Sequence, residues 1–231
     1  MLKMLFKRGV RRAFDSTNRR LAAAAFPDAK VFCIGFSKTG TTSLAAFFKG
    51  LKFTVGDQQA GELLVREWAV RNFDPIIALA RSAQVFQDVP FSLPFTFVVL
   101  DREFPGAKFI LSVRSGADEW YGSLIRYFTN LIGKGRVPTA DDLKEFPYPY
   151  KGWMFEAAML IAATSEQELF EKSKWTRFYE SHNAAVSEYF RHRPQSLLIV
   201  DLADANAAER TMNFLGLPYE GQTMPHLNRT K

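Results

Sequence analysis

Three features of the sequence predict an α/β fold with a parallel sheet between two layers of helices. Short apolar runs at 31–34, 85–86, 108–113 and 197–200 have the length and composition of buried strands. Amphipathic stretches alternate with them, as crossover helices do between parallel strands. At 231 residues and 47% hydrophobic content, the chain is long enough to bury one such core. A single domain over residues 1–231 is therefore expected.

Taken in order, residues 1–25 form a basic amphipathic segment. Leu2, Leu5, Phe6, Val10 and Phe14 fall on one helical face. Seven of the 30 Lys and Arg residues and one of the 24 Asp and Glu residues lie in positions 1–20, so the rest of the chain carries 23 of each sign. The net charge of +6 thus describes the N-terminal segment, and a nucleic-acid partner is not expected. Residues 1–20 suit either peripheral contact with an anionic membrane or docking on the domain.

The first strand, 31–34, contains the single cysteine, Cys33, which reads as a small buried apolar group. With no secretory leader legible and no uninterrupted apolar run of ~18 residues, a cytoplasmic setting is expected. A helix opens at Thr41 with Leu44, Phe47, Phe48 and Leu51 on one face. Gly50 stands where a left-handed cap would favour glycine. A second short strand is expected at 53–55. Residues 59–81 read as helical, with Asp74 capping a new piece that starts at Pro75.

Strand 85–86 ends in Gln87-Asp88-Val89-Pro90. A helix over 92–104, with Pro94 in its first turn, leads to the turn at Pro105-Gly106 and to the clearest strand, 108–113. Another helix runs to about Leu131. Residues 134–152 read as a loop, and 134–174 as a candidate lid. Helices at 153–171 and 175–191, a strand at 197–200 and a helix at 204–215 ending at Gly216 complete the chain.

The stretch 31–43 holds the most specific signal. Strand, glycine loop and helix together present backbone N–H groups and a positive helix end to an anion. The triphosphate-binding loop reads G-x-x-x-x-G-K-[ST]; its lysine grips the β- and γ-phosphates and its serine or threonine holds magnesium. Here Gly35 and Gly40 keep the spacing, but Thr41 stands where that lysine belongs. The loop's cation is Lys38, ahead of the second glycine.

Ser-Lys-Thr-Gly-Thr-Thr-Ser at 37–43 resembles the 5′-phosphosulfate loop of sulfotransferases, which use 3′-phosphoadenosine 5′-phosphosulfate (PAPS). Soluble members commonly read P-K-x-G-T-T-W there, and the whole is most similar to a bacterial sulfotransferase-like branch. The resemblance implies a P-loop NTPase-like sulfotransferase fold with PAPS as donor and adenosine 3′,5′-bisphosphate (PAP) as product. A metal would not be needed. A sulfuryl group carries less negative charge than a phosphoryl group, so one ammonium replaces the ion.

By the same resemblance, Ser37, Lys38, Thr39, Gly40, Thr41, Thr42 and Ser43 hold the phosphosulfate, with Lys38 also catalytic. Arg114 and Ser123 hold the 3′-phosphate, for which a planar guanidinium is suited. In the family the serine follows its arginine by eight residues, here by nine. Asp88, in Asp-Val-Pro, stands where soluble members place a histidine base in His-Leu-Pro. It is expected to take the proton of a hydroxyl or amine on a small acceptor. An Asp there also suits a turn that needs backbone N–H acceptors.

Other candidates remain open. His182 reads as a packed histidine or as an alternative base, and His192 as a solvated one. Asp201 closes an apolar run, as a metal-holding Asp does in nucleotidases and as many strand ends do. The tail 225–231 would reach the 3′-phosphate or lie free. Rival functions for the chain are a nucleotide kinase or NTPase, and a non-catalytic PAP-binding module.

Overall fold

The computed structural model describes residues 29–227. The basic N-terminal segment at 1–25 and the tail beyond Leu227 lie outside them. Four strands form one parallel sheet in the order β2-β1-β3-β4: β1 (Val31–Cys33), β2 (Val85–Gln87), β3 (Lys108–Val113) and β4 (Leu197–Asp201). Val31 pairs with Val85 on one side and Lys108 on the other, and Phe109 pairs with Leu197.

Successive strand side chains point to opposite faces, and that alternation divides the core in two. Val31, Cys33, Val85, Ile110 and Val200 face one layer, made by α1 (Thr41–Gly50) and α10 (Ala207–Phe214). Phe32, Ile34, Phe86, Phe109 and Leu111 face the other, where α5 (Thr96–Glu103), α6 (Ala117–Leu131), α8 (Trp153–Ala162) and α9 (Lys172–Tyr189) pack. The three-layer α/β architecture read from the sequence is thus present. Phe32 gathers the rings of Phe86, Phe91, Phe104 and Phe109 about itself, so many of the chain's phenylalanines fill this side.

Several boundaries differ from the sequence reading. Residues 53–55 make no strand; Val55 forms an isolated bridge to Val85. The left-handed residue after α1 is Lys52, at φ 71°, and not Gly50. The stretch 59–81 is three short helices, α2 (Gln58–Glu62), α3 (Val65–Ala69) and α4 (Asp74–Ala80). Asp57 caps α2 through the Ala60 N–H, and Arg71 at φ 61° breaks the chain before α4. Asp74 is α4's first residue, with Phe73 as its cap.

Helix α5 starts only at Thr96, because Phe95 at φ 65° and the turns before it precede the helix. The expected loop 134–152 contains α7 (Ala140–Glu145), begun by a capping box between Thr139 and Asp142. Helix α8 stops at Ala162 because Ala163 is left-handed; a short 3₁₀ turn (Glu166–Glu168) precedes α9. Helix α10 spans Ala207–Phe214, shorter than expected, and Gly216 follows at φ 69°.

This topology fixes where a ligand belongs. From β1 the chain moves to one side to β2, then returns across β1 to β3 and on to β4. The order reverses between β1 and β3, and a crevice opens there at the carboxyl ends of the strands.

Candidate active site

The loop after β1 enters that crevice because Gly35 lets it. A Cβ on Gly35 would lie 2.2 Å from Ser112 Oγ and 2.4 Å from the Ser112 carbonyl oxygen on β3. Thr39 then ties the loop down: its hydroxyl donates to the Phe36 carbonyl (2.7 Å) and pairs with Ser112 Oγ (2.6 Å). Thr39 therefore faces the sheet and not the crevice. Gly40 closes the loop at φ 99°, a conformation that favours glycine. It caps α1 without any side-chain hydrogen bond, so the helix presents its first N–H groups and its positive end to the crevice.

Two cavities meet at this loop. The smaller is a polar cradle lined by Lys38, Gly40, Thr41, Thr42, Arg114, Ser123, Tyr127 and Leu227. The larger holds about 160 Å³ and is mostly apolar, with Phe36, Leu124, Phe128, Met154, Ile161 and Trp175 in its wall. Lys38 and Tyr127 belong to both linings, so the ammonium stands between them. Lys38 Nζ lies 3.0 Å from the centroid of the Tyr127 ring. Burial pushes its pKa down to about 8, against the pull of the Asp88 and Glu62 carboxylates.

Arg114, just past β3, joins the loop to the cradle's far side. Its Nε donates to the Lys38 carbonyl at 3.0 Å, and its backbone N–H donates to Tyr179 Oη. Ser123 lies on α6, and Tyr127 follows one turn later on the same face. An uncapped helix end and a guanidinium on one cradle suit a ligand with anionic oxygens at two points.

Asp88, just past β2, faces the larger cavity. Its Oδ2 accepts from Thr41 Oγ1 at 2.9 Å and its Oδ1 from the Val89 N–H at 3.0 Å. The turn role and the site position thus coexist in one side chain. Lys38 and Asp88 are both non-glycine residues at positive φ, 71° and 63°. Such backbone conformations cost about 1–3 kcal/mol and gather at functional sites.

Other residues from the sequence reading fall elsewhere. Ser37 lines the apolar cavity and its carbonyl accepts from Trp120 Nε1. Ser43 is buried, its Oγ accepting from the Leu227 N–H at 3.2 Å, which brings the start of the tail to the cradle. His182 is 2% exposed and lines neither cavity; its Nε2–H donates to the Ile34 carbonyl (2.9 Å), and burial lowers its pKa. His192 pairs with Arg191, and Asp201 accepts the Ala203 N–H. Among the described residues, no group of three or more His, Cys, Asp or Glu side chains is placed to hold a metal ion. None of the helices among them is long and apolar enough to cross a membrane.

Sequence reading missed Tyr127, Glu62, Gln58 and Tyr148. Tyr127 was within reach, one helical turn beyond Ser123. Glu62 and Tyr148 join the site only through tertiary packing.

Fold and crevice define a parallel α/β protein with a glycine loop and an open helix N-terminus at its topological switch point. A family model described as a sulfotransferase domain matches residues 30–231, and the chain belongs to that family. It is accordingly a transferase of sulfuryl groups. A search of curated proteins found no match.

Proposed function

We propose that the chain transfers the sulfuryl group of PAPS to a hydroxyl or amine of a small acceptor by in-line displacement. The observation that carries this reading is the Lys38 ammonium at the junction of a polar cradle and an apolar cavity, with Asp88 on the cavity side. PAPS supplies a sulfuryl group attached to a phosphate that can leave. The N–H groups at the start of α1, with the Thr41 and Thr42 hydroxyls, hold the phosphosulfate end. Arg114 and Ser123 hold the 3′-phosphate.

Lys38 offsets the negative charge that grows on the leaving phosphate oxygen, the kind of contact that typically contributes ~10²–10³ in rate. Asp88 accepts the proton that the acceptor sheds as its new bond to sulfur forms. Residues 134–174 supply Tyr148, Trp153, Met154, Ala157, Ala158 and Ile161 to the acceptor wall and exclude water from it. A cytoplasmic location belongs to the same reading.

Thermal unfolding with PAP, and separately with ATP and magnesium, tests the donor. PAP at 100 times its Kd should stabilise the fold by about 2.7 kcal/mol, a rise of roughly 5–10 °C. Stabilisation by ATP–magnesium alone would point to a kinase or NTPase. Stabilisation by PAP without sulfate transfer from PAPS to any acceptor would point to a binding module.

A further inference from the structure

Glu62 has no part in the chemistry above, yet it is built into the acceptor cavity. Helix α2 comes close to the turn that carries Asp88: a Cβ on Gly61 would sit 2.8 Å from the Val89 carbonyl oxygen. That approach sets Glu62 into the cavity lining at 5% exposure. Its carbonyl accepts from Trp153 Nε1 (3.0 Å). Its Oε1 accepts from Gln58 Nε2 (2.9 Å), and Gln58 Oε1 accepts from Gln87 Nε2 on β2 (2.8 Å). The carboxylate is thus oriented from the sheet outward, while its other oxygen, Oε2, is buried with no hydrogen-bond partner. The Tyr148 hydroxyl interacts with the carboxylate at close range but does not reach hydrogen-bond geometry to Oε2, and burial raises the carboxyl's pKa.

A buried carboxylate oxygen without a donor destabilises the empty protein, whereas a ligand that supplies the donor removes that penalty. The cavity's size narrows the ligand. At about 160 Å³ it is comparable to engineered apolar cavities of ~150 Å³ that bind benzene, so it takes one ring. Its charge narrows it further: two carboxylates, Asp88 and Glu62, face one ammonium, Lys38. An anionic acceptor is repelled and a cationic one attracted.

We infer that Glu62 Oε2 is the recognition point for a hydrogen-bond donor on the acceptor, and that the acceptor is a single-ring phenol or alcohol whose second polar group is an ammonium or hydroxyl. The inference rests on the sulfuryl-transfer reading for which end of the acceptor reacts.

Three phenols of similar shape test it: tyramine, 4-ethylphenol and 4-hydroxyphenylacetate, positive, neutral and negative. Their binding to the PAP-saturated full chain, and to the chain alone, is measured by calorimetry at pH 8, well above the ordinary carboxyl range. Transfer from PAPS is measured alongside. Tyramine should bind about ten-fold tighter than 4-ethylphenol, and 4-hydroxyphenylacetate weakest. Glu62→Gln should erase that order and raise KM for tyramine more than it lowers kcat. Glu62→Asp should keep the order, and PAP affinity reports whether each variant is folded.

Equal affinities, a preference for the anion, no saturable binding of any of the three, or an order that survives in E62Q overturns the inference. If PAP binds and sulfate moves but tyramine is not preferred, only the acceptor assignment fails. If tyramine is preferred but PAP does not bind and no sulfate moves, the donor reading fails and the role of Glu62 stands.

Discussion

Replacing Lys38 by Met should make the protein more stable and nearly inactive. Met keeps the length and the Cβ of the lysine, so the backbone at φ 71° is no more strained than before. Only the charge is lost. Lysine titrates near 10.5 when free and at about 8 here. At ~1.36 kcal/mol per pH unit, that gap makes the buried ammonium cost the fold about 3 kcal/mol near neutrality.

That cost is already net of the attraction between the ammonium and the Asp88 and Glu62 carboxylates, which holds the pKa higher than burial alone would. The variant should therefore be stabilised by about 3 kcal/mol, or roughly 6–12 °C for a domain of this size. The sign with pH follows from a folded pKa below the unfolded one. The penalty is full below about pH 8, shrinks as pH rises and is gone above 10.5, so the two melting curves should converge there.

Turnover should fall by ~10²–10³. In the parent chain, kcat/KM for the donor should decline above about pH 8 as the free enzyme loses this proton. Scanning fluorimetry between neutral pH and pH 11, with a radiolabelled sulfate-transfer assay, measures all of it. Equal melting temperatures at neutral pH would mean that the amine is solvated, and near-normal turnover would remove it from the chemistry.

Other variants separate the remaining roles. Asp88→Asn keeps an acceptor for the Val89 N–H, so PAP affinity by calorimetry should hold while turnover drops ~10²–10⁴. Arg114→Lys keeps the charge but loses the planar fork and the Nε bond to the Lys38 carbonyl; PAP affinity should weaken by about 10–100-fold. Gly35→Ala meets backbone on β3 that cannot retreat, and denaturant unfolding should show a loss of about 3 kcal/mol.

Much of this molecule is legible without coordinates. The strand 108–113 and the loop between Gly35 and Gly40 follow from local composition and spacing, and they are the parts that place Lys38 and Arg114. The errors fall where tertiary structure overrides propensity. Phe53 to Val55 has strand-like residues but meets β2 only at Val55. Phe95 and Ala163 take left-handed conformations that no local signal announces. The capping box at Thr139 was a readable pattern, hidden by the glycines and prolines around it. Thr39 is expected from the sequence only as one residue of the cofactor loop, and the use of its hydroxyl to hold that loop to Ser112 depends on a strand 73 residues away. Glu62 enters the site through a long-range approach, that of Gly61 to Val89, which periodicity cannot express.

The bond from the Leu227 N–H to Ser43 has a practical side. A purification handle fused behind Lys231 would begin only four residues past Leu227, no more than ~14 Å of extended chain from the mouth of the cradle. Polyhistidine there would bring imidazolium groups, at mildly acidic pH, to the cradle proposed to hold the donor's phosphates. Donor affinities measured on such a fusion would belong partly to the handle, whereas the same handle removed by a protease would leave the cradle to its own residues.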